Sequence, residues 1–164
     1  MTVATVTVRR GFPMEMAGKL WTWLHSPAEP NFDDFNRVSL SEFARTLEHR
    51  LSREHTWAII EDDAVVGFAA FQLQSPMCGQ FHGIVLKPSA RGRGVGRHAV
   101  EAIVDELREA GVSKFVAAIF ADNEPVRRML AGAGFEEQGY FPRMTQRDGK
   151  PLDVRWMCWT EEVR

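Results

Sequence analysis

Apolar and polar residues alternate along this chain with two different periods, and the changes of period mark the predicted strands and helices. Residues 2–9 read TVATVTVR, and this period of two predicts a strand with one buried face. Six later segments are rich in β-forming residues or are bounded by turn residues, which is typical of strands. They are residues 55–61, 65–73, 81–86, 114–120, 137–145 and 154–160.

Four other segments carry apolar residues at the spacing that places them on one face of a helix. The first covers residues 14–24, and the second follows a serine N-cap at Ser39 or Ser41. The third covers residues 97–110, and the fourth follows Asn123, whose side chain suits an N-cap. The predicted order of elements is therefore β-αα-βββ-α-β-α-ββ.

The most informative stretch joins the strand at residues 81–86 to the third helix. Pro88 should end the strand, and the run Arg91-Gly92-Arg93-Gly94-Val95-Gly96 follows it. The first amides of a helix lack partners within it and carry partial positive charge, so the start of this helix suits a phosphate. Glycines also let the backbone come close to a ligand. We therefore predict a phosphate or pyrophosphate site, with a plain connecting turn as the alternative.

Two common phosphate-binding motifs do not match this run. A Walker loop requires Lys followed by Ser or Thr after its last glycine, but Arg97 and His98 follow Gly96. A dinucleotide fingerprint requires G-x-G-x-x-G, whereas the glycines here are spaced G-x-G-x-G.

The run instead resembles motif A of the GCN5-related N-acetyltransferase (GNAT) superfamily, written Q/R-x-x-G-x-G/A, through Arg91, Gly94 and Gly96. The segment from Asn123 to Phe135 resembles a second motif of that family, N-x-x-A-x-x-L-Y-x-x-x-G-F. The resemblance covers essentially the whole chain and implies a single GNAT domain over residues 1–164. The implied α/β (α+β) fold has a central mixed, mostly antiparallel, twisted sheet of about seven strands with four helices, in the order predicted above.

The resemblance also implies an enzyme, an acetyl-CoA-dependent N-acetyltransferase that acts on a primary amine of a small molecule, peptide or protein. The amine attacks the thioester directly in a ternary complex, with acetyl-CoA as cosubstrate and no metal ion. The alternative is a non-catalytic acyl-CoA-binding sensor of the same fold, because the family's usual Tyr position holds Leu130.

In the family, the pantetheine arm of acetyl-CoA inserts between two parallel strands that splay apart, which here are residues 81–86 and 114–120. The amide near Leu86 is expected to face the thioester carbonyl. The implied contacts come from the first of these strands, the glycine-rich run and the last helix. They are Ile84, Val85, Leu86, Arg91, Gly92, Arg93, Gly94, Val95, Gly96, Arg97, Asn123, Val126, Arg127 and Leu130.

Acetyl transfer to an amine requires a base, because an alkyl ammonium group with a pKa of about 10 is protonated at neutral pH. His82 is the candidate base by residue type, since histidine titrates near neutrality, and a structural histidine bonded to the backbone is the alternative. Glu61, at the end of a predicted strand, is a second candidate base. Tyr140, the only tyrosine in the chain, is a candidate proton donor or a buried structural residue.

The acceptor amine is expected to contact the loop at residues 25–36. This loop places Phe32, Asp33 and Phe35 close together, with Glu29 and Asp34 nearby, and carboxylates among aromatic rings suit a cationic amine. The alternative is a solvated acidic loop. Gln80 joins the acceptor-binding residues, because it occupies the position of a catalytic Glu in some family members and an amide cannot serve as the base.

Composition bears on the partners and the location of the protein. A net charge of −2 argues against a nucleic-acid partner, and no apolar run approaches the roughly 20 residues that span a membrane. Cys78 and Cys158 lack metal-site spacing and are expected to be free thiols in a reduced, cytoplasmic protein. The last hairpin, with Trp156 and Trp159, closes the cleft or pairs two subunits, so a homodimer is a further expectation.

Overall fold

The structure is a computed structural model that describes residues 4–27 and 30–162. It contains a seven-stranded sheet, as predicted, and four α-helices in the predicted order. The strands are β1 (Val6–Arg10), β2 (His55–Glu61), β3 (Ala64–Ser75), β4 (Cys78–Leu86), β5 (Lys114–Phe120), β6 (Glu136–Arg147) and β7 (Lys150–Thr160). The α-helices are α1 (Ala17–Leu24), α2 (Leu40–Arg53), α3 (Val95–Glu109) and α4 (Glu124–Gly132).

The strands lie in the order β1-β2-β3-β4-β5-β7-β6, and every neighbouring pair is antiparallel except β4 and β5. The parallel pairing of β4 and β5 runs from Cys78 opposite Lys114 to Phe81 opposite Ala117, and then stops. Beyond Phe81 the two strands diverge, while each stays paired with its outer neighbour. The predicted splay of these two strands is confirmed.

Helices cover both faces of the sheet because successive strand residues point to opposite sides. In β2, Trp57 and Ile59 pack with the buried face of α3, whereas Ala58 packs with α1 and α2. The α3 side is the larger core and includes a cluster of aromatic rings in which Phe71 contacts Phe81 and Phe115. The two cores hold the diverging ends of β4 and β5 between the two helical layers.

The helix ends follow local chemistry. Ser39 caps α2 in a capping box with Glu42, and Asn123 caps α4 through a bond from the amide of Val126. The third helix begins at Val95, two residues before the predicted start, because Gly94 adopts a left-handed conformation with φ of 82° and serves as its N-cap.

Gly79 on β4 leaves room for the ring of Phe71, which lies on the neighbouring strand β3. A Cβ atom at Gly79 would lie 2.3 Å from the ring of Phe71 and 2.7 Å from the carbonyl oxygen of Gln72. We expect Gly79→Ala to lower the free energy of unfolding by about 1–3 kcal/mol, measured by denaturant unfolding. Gly18→Ala in α1 is the control, because a Cβ there has no neighbour within 4 Å and helix propensity favours alanine. Equal stability of the Gly79 variant and the wild type would contradict this packing account.

Candidate active site

A cavity of about 630 Å³ lies where β4 and β5 separate. Residues 80–85 of β4 and residues 117–120 of β5 line two of its sides. The facing edges of these strands are unpaired beyond Phe81, so an extended ligand can lie between them as an additional strand would. The remaining walls come from α1, α2, the loop between them, and α4; the polar side chains there are Asn31, Asn36, Thr46, Arg50 and Asn123.

The glycine-rich turn precedes α3, and neither Leu86 nor residues 91–97 are among the described residues that line the cavity. The turn is connected to the cavity wall through β4, because Arg91 donates to the carbonyl of Leu86, the residue after Val85. Gly92 and Gly94 have φ values of 71° and 82°, which a side chain would disfavour. Within residues 30–162, no backbone carbonyl accepts a hydrogen bond from the amides of Gly92 to Gly96. Together with the dipole of α3, these amides form a cradle that fits a pyrophosphate.

The third glycine has a different role. A Cβ atom at Gly96 would lie 2.4 Å from the sulfur of Met129 and 3.3 Å from Leu86. Gly96 therefore lets α3 pack closely against α4 and β4, in addition to any role in ligand binding.

The three arginines of the turn are bound to protein groups. Arg91 donates to the carbonyl oxygens of Leu86 at 3.1 Å and Trp23 at 3.0 Å, which fastens the turn to β4 and α1. Arg97 pairs with Glu101 at 2.8 Å. An anion at this turn would therefore contact chiefly backbone amides, with guanidinium groups nearby.

Glu61 holds the third arginine and does not line the cavity. Its two oxygens accept from Arg93 at 2.7 and 2.8 Å, and this hydrogen-bonded pair raises the pKa of Arg93. Glu61 is also buried at the end of β2. The structure therefore does not bring this candidate base to the cavity, and the carboxylate instead fixes the glycine-rich turn.

His82 lines the cavity on β4, one residue beyond the last β4–β5 pair. Its Nδ1 lies 3.3 Å from Oε1 of Glu54, the C-cap of α2, and its backbone carbonyl accepts from Arg50 at 3.2 Å. Because a carboxylate only accepts, Nδ1 carries the hydrogen and Nε2 of the neutral ring keeps its lone pair. Sequence reasoning missed Glu54 as a partner, since no motif connects it with a strand 28 residues away.

Tyr140 lies outside the cavity lining. It is about half exposed on β6, and its hydroxyl donates to Asp153, a hydrogen bond that raises the pKa of Tyr140. Leu130 is fully buried and lines the cavity at the position where the family motif has Tyr. The structure therefore places no tyrosine among the described lining residues.

Two of the four expected acceptor-binding residues line the cavity, Phe35 and Gln80. Phe32 and Asp33 do not. Asp33 is buried, and it accepts from the backbone and side-chain amides of Asn36 and from the hydroxyl of Thr145. The expectation that Asp33 faces a cationic acceptor is not supported, because both of its oxygens are used within the protein.

The neighbouring Asp34 also serves the structure. It accepts from the amides of Asp148 and Gly149, and these bonds lower its pKa. The carboxylates of the loop thus fasten the β6–β7 hairpin to the segment between α1 and α2. Glu29, the third acidic residue expected here, lies outside the described residues.

The start of α4 completes the cavity. Asn123, Val126 and Leu130 line it, and the Asn123 side chain also lies 3.5 Å from that of Asn31. Arg127 instead pairs with Glu124, whose pKa falls to about 2, chiefly because of that hydrogen bond. Arg127 is not among the lining residues.

Arg147 connects the β6–β7 hairpin to the loop over the cavity. It donates to Phe32 O at 2.9 Å, Pro30 O at 3.4 Å and Asp122 Oδ2 at 2.8 Å, with its side chain 15% exposed. We expect Arg147→Ala to lower the free energy of unfolding by about 1.5–3 kcal/mol and to raise the KM of the acceptor. Arg128→Ala is the control for urea unfolding, because that exposed ion pair is worth less than about 1 kcal/mol. Equal effects of the two substitutions would contradict a role for Arg147 in fastening the loop.

In residues 4–27 and 30–162, no helix has the length and apolar character needed to span a membrane. Nor does the described part of the chain hold a group of three or more His, Cys, Asp or Glu side chains arranged for a metal ion.

The splayed parallel strands, the glycine-rich turn and the order of elements together define a GNAT-type fold. The chain belongs to the acetyltransferase (GNAT) family, whose model matches residues 18–135. Its fold resembles that of yncA, a putative acetyltransferase from Salmonella typhimurium solved with its cofactor acetyl-CoA. The TM-score is 0.75 with 20% identity, over 98% of this chain and 96% of that one.

Sequence comparison finds shorter matches. The chain is 31% identical over 72 residues to the putative phosphinothricin acetyltransferase YwnH of Bacillus subtilis, which covers 44% of each chain. It is 29% identical over 97 residues to an L-methionine sulfoximine/L-methionine sulfone acetyltransferase of Pseudomonas aeruginosa, over 57% of this chain and 56% of that one. The chain thus spans about half the length of the curated relatives it matches.

Proposed function

We propose that this protein transfers the acetyl group of acetyl-CoA to a primary amine by direct attack in a ternary complex. The observation that carries the proposal is the divergence of β4 and β5, together with a cradle of amides, Gly92 to Gly96, that donate to no backbone carbonyl of residues 30–162. The divergence opens a cavity with strand edges on both sides, and the cradle lies at the N-terminus of α3. One extended ligand with a pyrophosphate at one end and a thioester at the other fits both features.

Acetyl-CoA supplies an activated acyl group in this scheme. The amides of Gly92 to Gly96 would hold its pyrophosphate, and the edges of β4 at Ile84, Val85 and Leu86 would hold the pantetheine arm. Asn123, Val126 and Leu130 also line the cavity and would contact the same arm. Arg91 and Arg93 act indirectly, because their bonds to Leu86 and Glu61 fix the turn.

His82 is proposed as the group that accepts the proton of the amine. The amine nitrogen forms a bond to the acetyl carbonyl carbon, the carbon–sulfur bond breaks, and the sulfur leaves with its electron pair as the thiolate of CoA. Before this attack the bound ammonium group loses one proton to Nε2 of His82, while Glu54 accepts a hydrogen bond from Nδ1 and stabilises the imidazolium. The second proton leaves the nitrogen for water as the amide forms. His82 later loses this proton to water.

No protein acid is assigned to the departure of the thiolate. Thiols have reference pKa values of about 8.5, so a thiolate is a stable leaving group near neutral pH. Tyr140 is directed to Asp153, and Glu61 is paired with Arg93. We therefore propose no proton transfer through either of these residues.

We also propose that residues 1–164 form one domain that works as a homodimer. The two cores share one sheet, which supports a single cooperative unit, and one unfolding transition is the expected result in urea. The edge strand β6 exposes Phe141 and Met144, with Trp156 beside them on β7, which supports pairing of two copies there. Sedimentation equilibrium tests this, and a monomer at micromolar concentration would contradict it.

A cytoplasmic location is proposed on the state of the thiols. Cys78 and Cys158 are both free, and burial raises the pKa of Cys158, so this thiol resists oxidation. Fractionation of the source cells tests the location, and recovery of the protein outside the cytoplasm would contradict it.

Calorimetric titration with acetyl-CoA, followed by mass spectrometry of an amine mixture, tests the proposed function. We expect saturable binding and a mass increase of one acetyl group on an amine. Binding without any acetylated product would favour the alternative of a non-catalytic acyl-CoA sensor. Absence of binding would exclude both readings.

A further inference from the structure

The charges that line the cavity point to the chemistry of the acceptor. Among the described lining residues, the ionisable side chains are Arg50 and His82, and no Asp or Glu is present. The acidic side chains of the nearby loop, Asp33 and Asp34, bind groups of the protein instead. A polyamine or another polycation would therefore meet the cation of Arg50 in the lining, while the carboxylate of Glu54 lies outside the lining and faces His82 and Arg50.

Arg50 keeps donors available for a ligand. Its Nη1 donates to the carbonyl of His82 at 3.2 Å, and its Nε lies 4.0 Å from Oε1 of Glu54. The same oxygen of Glu54 lies closer to Nδ1 of His82, at 3.3 Å, so the carboxylate leaves N–H groups of the Arg50 guanidinium without a partner from Glu54. Within the described chain, Nη2 of Arg50 has no hydrogen-bond acceptor, and the side chain is 33% exposed. A planar guanidinium with free N–H groups is suited to bind a carboxylate.

The wall beside Arg50 is apolar. Phe43, Leu47 and Arg50 follow one another at intervals of four and three on α2, so they lie on the same face of the helix. All three line the cavity, together with Leu24 and Val38. A ligand whose carboxylate contacts Arg50 would therefore place an adjacent side chain against hydrocarbon.

We propose that the acceptor is an α-amino acid with an uncharged, apolar side chain. Its carboxylate binds Arg50, its amine faces His82, and its side chain contacts the apolar wall of α2. Only one carbon separates amine and carboxylate in such a molecule, and Arg50 and His82 are neighbours in the lining, with Nη1 of Arg50 3.2 Å from the carbonyl oxygen of His82. The inference rests on the proposed acetyl transfer. It separates free amino acids from peptide N-termini and polyamines, which lack this carboxylate.

The positive charge of Arg50 also offsets the charge of the acceptor's own carboxylate. A free carboxylate one carbon from the amine stabilises the ammonium form, and pairing of that carboxylate with Arg50 reduces the effect, so the bound amine loses its proton more readily to His82.

Three acceptors that differ only at the carboxylate test the proposal: L-leucine, L-leucinamide and isoamylamine. With the wild-type protein and acetyl-CoA, we expect kcat/KM for leucine to exceed that for the amide and the amine by about 10- to 100-fold. Arg50→Gln should remove this preference by lowering the value for leucine, while the values for the other two change little. Arg50→Lys keeps the positive charge but cannot bind a carboxylate through two parallel N–H groups. Its preference for leucine should therefore lie between those of the wild type and Arg50→Gln. Arg53→Gln, an exposed charge on the same helix, is the matched control.

A second readout does not depend on turnover. With CoA saturating, calorimetry should show that N-acetylleucine binds more tightly than N-acetylleucinamide, and that Arg50→Gln abolishes the difference. Turnover of the amide or of isoamylamine at rates equal to leucine would overturn the inference and leave the proposed function intact. If no amine is acetylated, the proposed function fails, and equal binding of the two acetylated ligands would then overturn the carboxylate site as well.

Discussion

Replacing His82 with alanine is expected to lower kcat by about 100- to 10,000-fold without changing the affinity for acetyl-CoA. His82 reaches the cavity where β4 leaves β5, and Glu54 orients its ring. Without the imidazole, the proton of the amine must pass to water. Steady-state kinetics with the best acceptor measures kcat, and calorimetry measures the affinity for acetyl-CoA.

Two further variants separate catalysis from general damage. Glu54→Gln retains a group that can accept from Nδ1 but removes the charge, so kcat should fall less and its dependence on pH should change. His49→Ala removes an exposed histidine from α2, outside the cavity lining, and should have no effect. Unchanged turnover in His82→Ala would remove this histidine from the mechanism.

Replacing Gly94 with alanine should weaken acetyl-CoA binding by about tenfold or more. Gly94 has φ of 82° as the N-cap of α3, where a side chain costs about 1–2 kcal/mol. Relief of this strain rotates the neighbouring peptide groups, and the amides of Gly92 to Gly96 then no longer converge on one anion. Calorimetric titration with acetyl-CoA measures the loss.

The matched control lies at the other end of the same helix. Gly111 has φ of 99°, and a Cβ atom there would have no neighbour within 4 Å, so Gly111→Ala introduces similar strain far from the cradle. Both variants should lose similar stability in urea, and only Gly94→Ala should lose affinity for acetyl-CoA. Equal affinities in the two variants would show that the turn does not bind the cofactor.

Features that depend on local sequence were predicted well. The bounds of β2 and β5 agree with those expected, because each is a run of β-forming residues with turn signals at both ends. Asn123 caps its helix as expected. β4 begins three residues earlier than predicted, at Cys78, since Gly79 and Gln80 pair with strands on both sides. Pairing with β3 and β5 therefore extends the start of β4 beyond the residues that have a local preference for a strand.

The roles of individual polar side chains were less predictable. Glu61 was a candidate base from its place at a strand end, but Arg93, 32 residues away, binds it. Asp33 was expected at the acceptor site, but Thr145, 112 residues away, and Asn36 use its oxygens. Such partners are chosen by the tertiary fold, and a sequence pattern contains no information about them.

The same reason explains why Arg50 was not among the expected acceptor-binding residues. No motif in the sequence marks Arg50 as a ligand-binding residue. Its position beside His82 results from the packing of α2 over β4. The sequence predicted acidic loop residues at the acceptor site, whereas the ionisable side chains among the described lining residues are Arg50 and His82.

The most direct test of this account is release of free CoA thiol when the protein is mixed with acetyl-CoA and a panel of amines. The panel should contain amino acids, polyamines, aminoglycosides and short peptides, and mass spectrometry should identify the product. We predict thiol release that requires an amine, with free apolar amino acids as the best acceptors. Failure of every amine to accelerate thiol release, in a protein that binds acetyl-CoA, would contradict the central claim of catalysis.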